Sequence, residues 1–242
     1  MSVIKLIRTL VMAAVAWASL PAFAESLPDV RSAVFVLVDV SKTWLNMASA
    51  TRNEAVLKSV NRGVLALSKR IERASFVAYG QIGDQAVTQT LICSANYQPT
   101  LLTLAKGTTL RKEDELREFL GSCVKPILDR SPAAWTDISG SLSFVSRQLG
   151  DNKMKVTPYV IVVSDMKEER GSKGPVELNL KGFKVLLVYR ALPEDDKKPN
   201  ELETRLKTWR DRLTKFGATV ATIIDTGLVE QEIAKLAGDA YR

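Results

Sequence analysis

The chain carries 242 residues, with 34 basic and 27 acidic side chains, two cysteines and no histidine. Without histidine there is no Ser-His-Asp triad and no histidine-ligated zinc, and no Gly-rich phosphate-cradling motif is present either. The formal charge of +7 is scattered among acidic residues rather than gathered into a basic stripe with interleaved aromatics, which argues against nucleic acid as a partner.

Residues 1–24 begin with Lys5 and Arg8, continue through an apolar run over 10–20 and end on Pro21-Ala22-Phe23-Ala24. This pattern predicts a signal peptide cut after Ala24. The run is too short to span a bilayer comfortably, so no transmembrane segment is expected in the mature chain. Removing 24 of the 242 residues leaves 218, enough for one domain with a full core, over 25–242. The leader takes two basic and no acidic residues with it, so the mature charge falls to +5. Export to an oxidising compartment predicts a disulfide between Cys93 and Cys123.

Beyond the leader, an apolar run predicts a first strand over residues 33–40. Val56, Val60, Val64, Leu67 and Ile71 then recur at helical spacing over 54–71. Residues 75–82 and 86–93 read as extended, and the short Gly83-Asp84-Gln85 link makes them an antiparallel hairpin. Residues 96–110, with Pro99 and Gly107, read as a loop or a short helical excursion. Helices follow over 111–128 and from Asp137, its expected cap, to Leu149. The remainder predicts strand 158–164, a polar loop over 165–180, strand 183–189, a surface loop over 191–200, helix 201–216, strand 218–224 and a last helix after Gly227. Trp209 and Phe216, seven residues apart on one helix, read as core. Alternation of this kind predicts a doubly wound, Rossmann-like α/β fold, with a mostly parallel sheet, one antiparallel edge strand and helices on both faces.

Two of the strands end in acidic residues, Asp39 after Val34-Phe35-Val36-Leu37-Val38 and Asp165 after Val160-Ile161-Val162-Val163-Ser164. The carboxyl ends of parallel strands are where ligands bind in such sheets. Asp39, Ser41, Thr43, Thr136 and Asp165 offer only carboxylate and hydroxyl oxygens, a donor set suited to Mg²⁺ or Mn²⁺ rather than zinc.

Asp39-Val40-Ser41-Lys42-Thr43 after a strand, Thr136-Asp137 opening a helix and Ser164-Asp165 closing a later strand together resemble the metal-ion-dependent adhesion site of von Willebrand factor A domains. The resemblance covers residues 33–242 and extends to the order of the elements. Two positions depart from the family pattern: Thr43 stands where serine is usual, and Met166 where many members have glycine. The resemblance implies that Ser41, Thr43 and Thr136 supply hydroxyl oxygens to the ion, while Asp39 and Asp165 hold it largely through water. Mostly neutral direct ligands leave the ion electrophilic, so the implied partner is a protein offering a Glu or Asp side chain. Trp44 and Trp135 flank the same mouth, either as an aromatic rim for that partner or as packing between loops and sheet.

An enzymatic reading finds less support. The first cluster is similar to the Asp-x-Asp-x-Thr pattern of haloacid dehalogenase phosphatases, but Ser41 stands where their acid/base aspartate belongs. Ser122 and Lys125 have the Ser-x-x-Lys spacing of penicillin-recognising acyltransferases, without the other two motifs of that family. The expectation is therefore a periplasmic or secreted, metal-assisted protein-binding domain and not an enzyme. A periplasmic Mg²⁺-dependent hydrolase and a metal-independent structural subunit of an envelope assembly are the alternatives.

Overall fold

The strand β1 (Ser32–Asp39) is buried at all eight positions, which only a strand covered by helices on both faces tolerates. The computed structural model describes residues 32–45, 50–71, 75–84, 91–97, 109–150, 156–170, 174, 176–190, 195, 198–224 and 227–238. The expected leader lies outside them. After β1 come α1 (Lys42–Leu45), α2 (Ala50–Ile71), β2 (Ser75–Ile82), β3 (Cys93–Tyr97), β4 (Thr109–Leu110), α3 (Glu113–Leu128) and α4 (Ile138–Leu149). The chain continues through β5 (Thr157–Ser164), β6 (Lys184–Tyr189), α5 (Pro199–Lys215), β7 (Thr219–Ile224) and α6 (Val229–Lys235).

The strands form one sheet in the order β4-β3-β2-β1-β5-β6-β7. Strands β2, β1, β5, β6 and β7 run parallel, and β3 is antiparallel to β2. Strand alternation divides the core between two faces. Val34, Val36, Val38, Ile161 and Val163 pack under α2, α3 and α6, whereas Phe35, Leu37, Val160 and Val162 pack under α4 and α5. Each fully buried aliphatic side chain contributes roughly 1.5–3 kcal/mol, so the two layers together fix the strand register and with it the loops at the carboxyl ends.

The predicted α/β architecture holds, with three local corrections. The second arm of the antiparallel pair is Cys93–Tyr97 rather than 86–93: Tyr79 stands opposite Cys93, and Ser75 opposite Tyr97. Asp84 is engaged with another loop, as described below, and residues 85–90, on which the rest of the expected link and arm falls, lie outside the described residues. Thr109 and Leu110, expected in a loop, form the short β4 parallel to β3. Trp44 is wholly buried in the first core layer and is not part of a rim. Its carbonyl accepts from Asn53 Nδ2 at 2.6 Å, and the Arg190 guanidinium lies 5.9 Å from the centre of its ring. Trp209 is core, as predicted. A disulfide joins Cys93 at the start of β3 to Cys123 on α3.

Candidate metal centre

The parallel register aligns the ends of β1 and β5, with Val38 opposite Val163. Asp39 and Ser164 therefore emerge side by side, and Ser164 Oγ donates to Asp39 Oδ2 at 2.8 Å. The other oxygen, Oδ1, accepts from the Ser41 amide at 2.8 Å, folding the chain sharply after the strand. Ser41 Oγ accepts in turn from the Trp44 amide at 3.4 Å, at the start of α1. That helical turn directs Trp44 into the core and leaves Lys42 and Thr43 exposed.

Thr136 is brought to the same end of the sheet by two backbone bridges. Ala133 pairs with Ser41 in the parallel sense, its amide donating to Val40 O at 2.8 Å. Thr136 pairs antiparallel with Glu169, through two hydrogen bonds of 2.9 Å. The 133–136 segment thus lies between the loop that carries Ser41 and the loop that carries Asp165. Asp137 caps α4 as expected, accepting from the Gly140 amide at 2.7 Å. A Cβ on Gly140 would fall 2.5 Å from the Asp137 carboxylate, so this approach requires glycine. The same carboxylate pairs with Arg170 at 2.8 Å.

Asp165 Oδ1 accepts from the Lys167 amide at 2.9 Å, and its carbonyl accepts from Arg205 at 3.1 Å. Met166 follows with φ +58°, a left-handed conformation unusual for a residue with a side chain. Its side chain is buried in the second core layer, its amide donates to Ser164 Oγ at 3.0 Å, and its carbonyl accepts from Trp209 Nε1 at 2.9 Å. Packing and two fixed hydrogen-bond partners thus hold a conformation that glycine would take without steric cost.

The electrostatics of the cluster favour a cation. Asp39 and Asp165 are both buried. Burial pushes the Asp39 carboxyl up from 3.8 to about 6, and the neighbouring Asp165 charge adds to the effect; the bonds from Ser41 and Ser164 only partly oppose it. Asp165 is also raised, first by burial, against the lowering influence of the Lys167 amide and of the Lys167 and Arg205 charges. Two desolvated carboxylates, with the Asp165 charge raising Asp39 further and the Asp195 charge raising Asp165, are what a divalent ion would relieve. Among the described residues no group of three or more His, Cys, Asp or Glu side chains could hold a metal. The oxygens that could hold a metal here are two carboxylates with the hydroxyls of Ser41 and Thr136, an all-oxygen set whose chemistry would suit Mg²⁺ or Mn²⁺. Thr43, exposed on α1, makes no hydrogen bond to the other four among the described residues.

Several residues that shape the site had no signal of their own in the sequence. Glu168 Oε1 accepts from the Ser139 amide at 2.7 Å, in the first turn of α4, and Oε2 accepts from Arg212 at 3.0 Å. Asp84 accepts from the Ala134 and Trp135 amides at 3.2 and 2.6 Å. Both carboxylates act on loops far away in sequence, which no local pattern encodes.

No family model matches the chain, and no curated protein sequence matches it. Solved structures do. The pilus adhesin SpaC from Lactobacillus rhamnosus GG is 12% identical, with a TM-score of 0.50 over 88% of this chain and 31% of SpaC. BatB from Bacteroides thetaiotaomicron, a conserved hypothetical protein, is 14% identical, with a TM-score of 0.47 over 85% of this chain and 96% of its own. The manganese-loaded TRAP protein of Plasmodium vivax is 11% identical, with a TM-score of 0.37 over 88% of this chain and 64% of its own. This chain thus spans about a third of SpaC, and likeness at such identities speaks to the fold alone. The strand order, the antiparallel pair at one edge and the helices on both faces make this an α/β fold of the von Willebrand factor A type.

Proposed function

We propose that this is an exported bacterial envelope protein, periplasmic or secreted, that binds a protein partner with the help of Mg²⁺ or Mn²⁺. The observation that carries the reading is the pair of buried carboxylates, Asp39 and Asp165, at the ends of adjacent parallel strands with Ser41 and Thr136 beside them. Asp39 and Asp165 would balance the ion's charge and orient its water. Ser41 and Thr136 would supply neutral oxygens, and Thr43 joins them on the family resemblance. When bound, the ion supplies an electrophilic position for a partner's Glu or Asp carboxylate. The chain's own work is to hold these donors in place: the Asp39 turn fixes Ser41, and the Glu169 bridge fixes Thr136. Ser41 has no acidic proton to give a leaving group, so binding is favoured over hydrolysis.

Export rests on the leader pattern and agrees with the disulfide. No helix among the described residues is long and apolar enough to cross a membrane. The fold is shared with a pilus adhesin, which is compatible with a binding role. The test is capture of envelope proteins on immobilised chain in Mg²⁺ or in EDTA. Capture abolished by EDTA and by Asp165→Ala supports the proposal. Capture indifferent to both overturns it in favour of a metal-independent assembly subunit, and metal-dependent turnover of generic phosphoesters would favour the hydrolase.

A further inference from the structure

We propose that Trp135 is a partner anchor, held outward by Asp84, which selects ligands carrying a large apolar residue beside the carboxylate bound at the metal. The inference rests on the cation-site reading above and adds to it a second specificity element. Trp135 is 45% exposed, whereas Trp44 and Trp209 are buried. Every amide of its segment is nevertheless engaged: Ala133 to Val40 O, Ala134 and Trp135 to the Asp84 carboxylate, and Thr136 to Glu169 O. A backbone pinned at four successive amides has little freedom left to lose when a ligand covers the exposed indole, and tryptophan is enriched among residues that dominate binding.

The clamp depends on a close approach. A Cβ on Gly83 would lie 2.9 Å from Ala133 Cβ and 3.4 Å from Val40 Cγ2, so glycine lets the end of β2 press against the 133–136 segment. That contact brings Asp84 within reach of both amides. Because Ala133 pairs with Ser41 and Thr136 with Glu169, Trp135 stands between the two loops of the cation site. Lys42, exposed next to Ser41, and Lys167, whose charge acts on Asp165, offer positive charge at the same mouth, where Glu169 is also exposed, so the demand for a ligand carboxylate comes from the cation-site reading. The fitting partner is a protein segment with Glu or Asp adjacent to a large apolar side chain.

The test is selection of a random peptide library on the chain in Mn²⁺, with elution by EDTA. Affinities of a recovered peptide are then measured for wild type, Trp135→Ala and Asp84→Ala, alongside versions with the acid changed to its amide or the apolar neighbour changed to glycine. Recovered peptides should pair an acid with a large apolar neighbour. Trp135→Ala should weaken the parent peptide about tenfold or more, and should leave the glycine version unaffected, the mark of direct coupling. Asp84→Ala should weaken the parent less and speed amide exchange at Ala134 and Trp135. Acidic peptides with no apolar preference, bound equally by Trp135→Ala, would overturn the anchor and leave the cation site standing. Absence of any EDTA-released peptide would overturn both.

Discussion

Asp39→Asn should make the metal-free protein more stable at neutral pH while removing a carboxylate from the proposed cation site. Wild-type Asp39 is fully buried, and its carboxyl is raised from 3.8 to about 6. A difference of that size costs the folded state about 3 kcal/mol once the group is ionised. Because the folded value lies above the unfolded one, the favourable contribution is complete below pH 3.8 and is lost as pH rises through about 6. Asparagine keeps the shape: its oxygen accepts from the Ser41 amide, and its amide donates to Ser164 Oγ, which has a lone pair left after accepting from Met166 N. The Ser164 proton loses its acceptor, at a cost of roughly 1 kcal/mol. The net gain is about 1–3 kcal/mol, or roughly 2–10 °C in Tm for a chain of this length. Thermal melts in EDTA from about pH 4 to about pH 8 would show a gap that opens with rising pH and nearly closes at the acidic end. In Mg²⁺ the order should reverse, since only the wild type gains from the ion. An Asp39→Asn variant less stable than wild type in EDTA at the alkaline end would show that the buried Asp39 carboxylate does not destabilise the metal-free fold.

Trp44, in the core, and Trp135, at the mouth, should separate cleanly in denaturant titrations. Trp44→Ala, which empties a wholly buried site, should cost about 3–5 kcal/mol, and Trp135→Ala should stay within about 0.5 kcal/mol of wild type. Reduction of the Cys93–Cys123 bond, or its replacement by two alanines, should cost about 3–4 kcal/mol for a separation of 30 residues. Urea midpoints with and without reductant would measure it, and an unchanged midpoint would count against the bridge. Met166→Gly removes backbone strain of about 1 kcal/mol at φ +58° but empties a buried side-chain position. A net loss of about 1–3 kcal/mol is expected from the balance of the two effects, and a more stable variant would show that strain outweighs packing there.

Much of the fold was legible because buried parallel strands leave continuous apolar runs. Residues 34–38 and 159–163 could be nothing else at that length, and their register fixes Asp39 and Asp165 at one end of the sheet. The Asp137 cap was equally readable, since capping is local chemistry. Illegible features depend on contacts distant in sequence. Gly83-Asp84 resembles a hairpin turn until Ala133 is seen to lie against it, at which point its carboxylate belongs to another loop. Glu168 and Arg170 sat in a stretch read only as polar, and their partners Ser139 and Asp137 are about 30 residues away. Which way Trp44 turns was undetermined by spacing, because the single turn of α1, nucleated by Ser41, decides it. Strand β4 is two residues long and has no period to detect.

The central claim is that Asp39, Ser41, Thr136 and Asp165 form a divalent-cation site. Its most direct test is Mn²⁺ titration of residues 25–242 followed by the electron paramagnetic resonance signal of the free ion. One Mn²⁺ should bind per chain, displaced by excess Mg²⁺. Affinity should fall about tenfold or more, at least ~1.4 kcal/mol, in Thr136→Val, which replaces the hydroxyl with a methyl group, and binding should be abolished in Asp165→Ala. An undiminished free-ion signal up to millimolar Mn²⁺, or wild-type binding in both variants, would contradict it.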